Sequence, residues 1–76
     1  MVTVYRVWDT DSANLIADCA TAEEADEAIR RGMRFYGPDG VRRWALERED
    51  ERGAVTVLAK GHDLARVATA GIPAAR

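Results

Sequence analysis

Apolar and polar positions alternate along four stretches of the chain and recur at helical spacing along two others. Val2-Thr3-Val4-Tyr5-Arg6-Val7-Trp8 is β-branched and aromatic, the composition of a strand. Asp9 to Ala13 is a polar run fit for a turn, and Asn14 to Cys19 alternates again. Leu15, Ala17 and Cys19 fall on one side of that second strand, with Asn14, Ile16 and Asp18 on the other. The two stretches predict a β-hairpin.

Thr21-Ala22-Glu23-Glu24 then fits a capping box, with Thr21 as N-cap and Glu24 at the third helical position. Acids at Glu23, Glu24, Asp26 and Glu27 suit the positive end of a helix dipole, and Arg30, Arg31 and Arg34 suit the negative end. Ala22, Ala25, Ile29, Met33 and Tyr36 recur at helical spacing and define a buried stripe. Gly37-Pro38 ends this helix. Val41 to Arg48 resumes an extended pattern, with Arg42, Trp44, Leu46 and Arg48 on one face. Glu49 to Gly53 is a polar loop, and Ala54 to Ala59 is the most strand-like run in the chain. After Gly61, Asp63 caps a short helix to about Thr69 with Leu64, Val67 and Ala68 inward; Gly71 and Pro73 close it, and residues 74–76 fray.

The order ββαββα predicts an α+β fold: one four-stranded, antiparallel-rich sheet with two helices on one face. The same order is a circular permutation of the ferredoxin-like sandwich. That topology predicts strand order 1-2-4-3, with the second and fourth strands central and parallel. Shifted by forty residues, the halves agree loosely: Leu15 falls on Val55, Ala17 on Val57 and Cys19 on Ala59. The open face of such a sheet then carries Ile16 and Leu58, joined by one face of each edge strand: Trp8 or Tyr5 from the first, and Trp44 with Leu46 from the third where that face turns outward.

Length changes the weight of that face. The 76 residues make one domain, 1–76, with a thin core, because a chain this short buries only about 60 % of the surface its unfolded form exposes. A marginal domain with a partly apolar open sheet points to self-association as a homodimer through that face or a sheet edge, with Ile16, Leu58, Trp8 and Trp44 as the candidate surface. The chain is expected to be a non-enzymatic, protein-binding module.

Charge narrows the partners. Thirteen acids oppose eleven bases, and Lys60 is the only lysine. A net charge of −2 offers no general footprint for a polyanion. Arg30, Arg31, Arg34, Arg42 and Arg43, interleaved with Phe35, Tyr36 and Trp44, make the best case for nucleic acid, and with it the alternative of a small antitoxin-like regulator. That alternative is disfavoured: the arginines at the helix end suit its dipole, and Tyr36 and Trp44 read as core.

Candidate chemistry is sparse. Asp9, Asp11 and Asn14 begin like a calcium loop, but Ala13, Asn14 and Ala20 stand where an oxygen ligand, a glycine and a glutamate belong. His62 sits beside Asp63 with no nucleophile nearby in sequence, and Cys19 ends a strand on its inward side, two residues before a helix start. A thiol or histidine enzyme built on Cys19 or His62 is therefore the second alternative. No cofactor, metal or small-molecule ligand is expected. One cysteine cannot form an internal disulfide, the first twenty residues hold no apolar signal core, and no apolar run is long enough for a membrane helix, so the expected setting is cytoplasmic.

Tyr5-Arg6-Val7-Trp8-Asp9, Asn14-Leu15-Ile16, Thr21-Ala22-Glu23-Glu24-Ala25, Leu46-Glu47-Arg48-Glu49-Asp50 with Gly53, and Leu58-Ala59-Lys60-Gly61 with Leu64-Ala65 together resemble a loose set of small uncharacterised bacterial proteins. The resemblance runs to about Ala68. Members of that set carry a glycine just before the asparagine of the first hairpin, where this chain has Ala13. The resemblance implies a stand-alone small cytosolic protein and brings no activity and no site residues with it.

Overall fold

The structure is a computed structural model that describes residues 3–70, with the side chains of 68–70 left out. The expected helix closure at Gly71 and Pro73, the frayed end at 74–76 and the inward placement of Ala68 lie outside the described residues. The elements run β1 (Val4–Asp9), β2 (Asn14–Cys19), α1 (Ala22–Val41), β3 (Trp44–Glu49), β4 (Val55–Lys60) and α2 (Asp63–Ala70). The fold is α+β, with four antiparallel strands in one sheet and both helices on one side of it.

Strand order is β2-β1-β3-β4, and every pairing is antiparallel. The expected order 1-2-4-3 with β2 and β4 central is thus corrected: β1 and β3 hold the centre, and the most β-branched strands hold the edges. The pairing gives the physical reason. β2 and β4 each carry an extra residue, Ile16 against Val7/Trp8 and Leu58 against Leu46/Glu47. Such a bulge disrupts the ladder on its strand and is commoner at an edge, where only one ladder is affected, than between two partners.

Val7 and Leu46 face each other across the central pair and are fully buried. Around them pack Cys19, Ala25, Ile29, Val41, Trp44, Ala59, Leu64 and Val67. Full burial of an aliphatic side chain contributes about 1.5–3 kcal/mol, so Val7, Ile29, Leu46, Leu64 and Val41 are the main apolar contribution to stability. α1 covers β1 and β2, α2 covers β3 and β4, and the two helices pack on each other.

Thr21 caps α1 as its sequence predicts: the extended backbone turns its Oγ1 to accept from the Glu24 N–H at 3.1 Å. Gly37 breaks the helix with φ +73°, a left-handed conformation that favours glycine. The chain does not go straight into a strand there. Pro38 starts a further helical turn, which ends at Val41 and drops that side chain into the core. Val41 is thus the last residue of α1 instead of the first of β3.

The two hairpin turns use the same device. Asp9 Oδ1 accepts from the backbone N–H of Asp11 at 2.9 Å and Ser12 at 3.3 Å. Asp50 Oδ1 accepts from the N–H of Arg52 at 2.9 Å and Ala54 at 3.0 Å. Gly53 supplies the left-handed residue of the second turn at φ +84°; in the first, Ala13 adopts it at φ +60°.

Candidate functional site

The bulges decide which side chains reach which face. Register pairs Ala17 with Val7 but Leu15 with Trp8, so Leu15 and Ala17 point to opposite sides of the sheet. β4 repeats this: Ala59 pairs with Leu46, and Val57 with Glu47. Leu15, Val55 and Val57 therefore lie on the open face, where the alternation had placed them under the helices. Ile16 and Leu58, expected on the open face, turn to the helix side. Leu58 packs against the core, and Ile16 lines a groove with Phe35, Tyr36 and Trp44.

Of the four residues expected to form the self-association surface, Trp8 alone stays on the open face. Trp44 is corrected to a core residue, 6 % exposed, because its face of β3 looks toward α1. The open face is also more polar than expected. Arg6 Nη1 donates to Glu49 Oε1 at 2.6 Å, and Trp8 Nε1 donates to Glu47 Oε1 at 2.8 Å. The Glu49 hydrogen bond raises the Arg6 pKa further above its ordinary value, against a smaller opposing effect of desolvation. These two cross-strand links run down the centre of the sheet and separate Leu15 on one edge from Val55 and Val57 on the other.

The larger apolar exposure is on the helix side. Phe35 is 76 % and Tyr36 67 % exposed, at the end of the long part of α1. Tyr36 was expected in the buried stripe. It lies instead edge-on to the Trp44 ring, with centroids 6.1 Å apart, and Phe35 tilts against it at 6.5 Å. From these rings a groove runs back along α1 beside β2. Its first part is floored by Ile16, Ala17, Ala28 and Gly32, and its second, of about 440 Å³, by Ala17, Cys19 and Ala28 under Glu23, Glu24, Glu27 and Arg31. Helical spacing gives this flank its signature in the sequence, Glu24-Ala28-Arg31-Phe35, a stripe distinct from the buried one.

The arginines put forward for nucleic acid sit mostly against carboxylates. Arg30 meets Asp26 at 2.9 Å, Arg31 and Arg34 meet Glu27 at 4.0 and 3.1 Å, and Arg43 meets Asp11 at 3.2 Å. Arg42 caps the end of α1 and is exposed. At Arg30, Arg31, Arg34 and Arg43 a phosphate meets a carboxylate already beside the guanidinium, which cancels much of the local positive charge, and along α1 Glu23, Glu24 and Glu27 repel it further.

Cys19 and His62 do not converge. Cys19 ends β2 at one edge of the sheet, and His62 follows β4 at the other. Burial raises the Cys19 pKa above its ordinary value, and the neighbouring Glu24 and Asp18 carboxylates add to the rise. A nucleophilic thiol needs the opposite environment. Asp9 uses Oδ1 to close its own turn, and among the described residues no three acids, histidines or cysteines cluster as a metal site would require. Among the described residues no helix is long and apolar enough to cross a membrane. Comparison with protein-family models, curated proteins and solved structures finds no match to this chain.

Proposed function

We propose that the protein is a non-enzymatic interaction module that associates with a second copy of itself. One observation carries this reading: Phe35, Tyr36 and Ile16 stand exposed together beside an apolar groove, in a domain whose core is small. Two aromatic rings held in solvent on a regular helix cost hydration free energy that a partner surface recovers. The site differs from the open sheet face first expected, and it lies on the opposite side of the sheet.

The paired arginines weigh against the nucleic-acid alternative, and the burial of Cys19, which raises its pKa, weighs against thiol chemistry. A cytoplasmic setting accords with this proposal, because the chain has one cysteine and holds it as a buried thiol. Membership of the small bacterial set that the sequence resembles is part of the same proposal.

Sedimentation equilibrium at micromolar concentration tests the reading. A mass of twice 8.4 kDa is expected, falling toward 8.4 kDa in Phe35→Ser/Tyr36→Ser chains that keep their circular dichroism. A wild-type chain that stays folded at 8.4 kDa throughout removes it.

A further inference from the structure

The charges along α1 specify how a second copy docks. The flank beside the groove is acidic in its first half, with Glu23, Glu24 and Glu27, and basic in its second, with Arg31 on the groove and Arg34 next to it, bridged to Glu27. Phe35 ends the basic half, and the apolar pocket over Ala17 and Cys19 opens beside the acidic half. A surface with its signs divided this way repels a parallel copy and attracts an antiparallel one. The sheet edges are poorer docking sites, since a bulge interrupts the ladder in both β2 and β4.

We infer that two chains pair through α1 in antiparallel fashion about a twofold axis at the level of Ile29, an inference that rests on the self-association proposed above. About that axis Glu24 meets the partner's Arg34 and Glu27 meets the partner's Arg31. The same operation carries the partner's Phe35 to the level of Glu23, over the pocket floored by Ala17, Cys19 and Ala28. Each Phe35 thus fills the pocket of the other chain, and the interface is isologous, as a closed dimer requires. Apolar burial of the two rings drives association, and the charges select its direction. The existing bridges of Arg31 and Arg34 to Glu27 are exposed, so exchanging them for contacts across the dimer costs little.

The test uses two full-length variants, R31E/R34E with an all-acidic flank and E24R/E27R with an all-basic one. Folding is checked by far-ultraviolet circular dichroism and mass by sedimentation. Wild type is expected to be dimeric, each variant alone monomeric, and an equimolar mixture dimeric again. If wild type is dimeric and either variant remains so, or the mixture fails to re-form dimers, this docking is overturned while self-association stands. A monomeric wild type overturns both. Should a charge variant unfold, chains with Cys19→Ala and a single new cysteine decide the matter under mild oxidation. Glu24→Cys mixed with Arg34→Cys is expected to cross-link between chains. Glu24→Cys linking only to itself would show a parallel pair and end the proposal.

Discussion

The indole of Trp44 occupies the space that a side chain on Gly32 would need: a Cβ built there stands 2.4 Å from two ring carbons, with Val41 Cγ1 at 3.2 Å behind. α1 can lie this close to β3 only because residue 32 has no side chain. In an open helix, Gly→Ala stabilises by about 1 kcal/mol. Here a methyl fits only if the Trp44 ring shifts, and overpacking of this kind costs about 1–3 kcal/mol. Gly32→Ala is expected to lower the urea midpoint and, by pushing the ring, to alter the near-ultraviolet circular dichroism of Trp44. A midpoint at or above wild type contradicts this account of the contact.

Asp50 takes two backbone N–H groups of the second hairpin on one carboxylate oxygen, beside the backbone bonds of Asp50 N–H to Ala54 O and Gly53 N–H to Asp50 O. Asp50→Ala removes that acceptor, and with it about 1–2 kcal/mol of stability. Chemical denaturation reads the loss directly. Asp50→Asn keeps an acceptor oxygen and is expected to recover most of it.

Ala13 holds a left-handed backbone at φ +60°, a conformation that costs an L-residue roughly 1–2 kcal/mol relative to the right-handed region. Glycine relieves that strain but loses more entropy on folding. The balance predicts that Ala13→Gly stabilises by about 0.5–1 kcal/mol, seen as a higher thermal midpoint. A lower midpoint would mean that the Ala13 methyl, which lines a shallow depression with Trp8 and Ala45, contributes more by packing than its backbone loses.

Cys19 predicts an alkaline sensitivity. Burial, then Glu24 and Asp18, raise its pKa in the folded chain. Past the ordinary thiol value, near 8.5, the unfolded chain releases this proton while the folded chain keeps it. The unfolded state then binds fewer protons, so stability falls as pH rises through that window and is unaffected well below it. Wild type is expected to lose more stability between pH 8 and 10 than Cys19→Ala does. A thiol reagent should label Cys19 slowly until denaturant is added; immediate labelling of the native chain contradicts the burial on which this prediction rests.

The order of elements was legible because its signals are local. Thr21 with Glu24, the turn aspartates Asp9 and Asp50, and the break at Gly37 each act within a few residues of themselves. The faces of β2 and β4 were not legible. A bulge exists only relative to a partner strand, so nothing in Leu15-Ile16-Ala17 or Val57-Leu58-Ala59 announces that the alternation reverses at its middle residue. That one displacement moved Ile16 and Leu58 off the open face and replaced them there with Leu15 and Val57. Strand order failed for a related reason: β-branched composition measures fitness for a sheet, not for its centre. The candidate surface was half legible. Glu24-Ala28-Arg31-Phe35 is a helical stripe in the sequence, but its value depends on the free edge of β2 lying beside it.

The paired bulges also bear on what a crowded solution of this protein does. Amyloid-type stacking recruits six or seven consecutive residues in unbroken extended register. β2 and β4 are six residues long, and each is interrupted within its length, at Ile16 and at Leu58. Neither edge offers an uninterrupted template. Val55 and Val57 can therefore stand in solvent without presenting an unbroken strand to a neighbour, and the α1 docking inferred above, being isologous, needs no open strand edge to form.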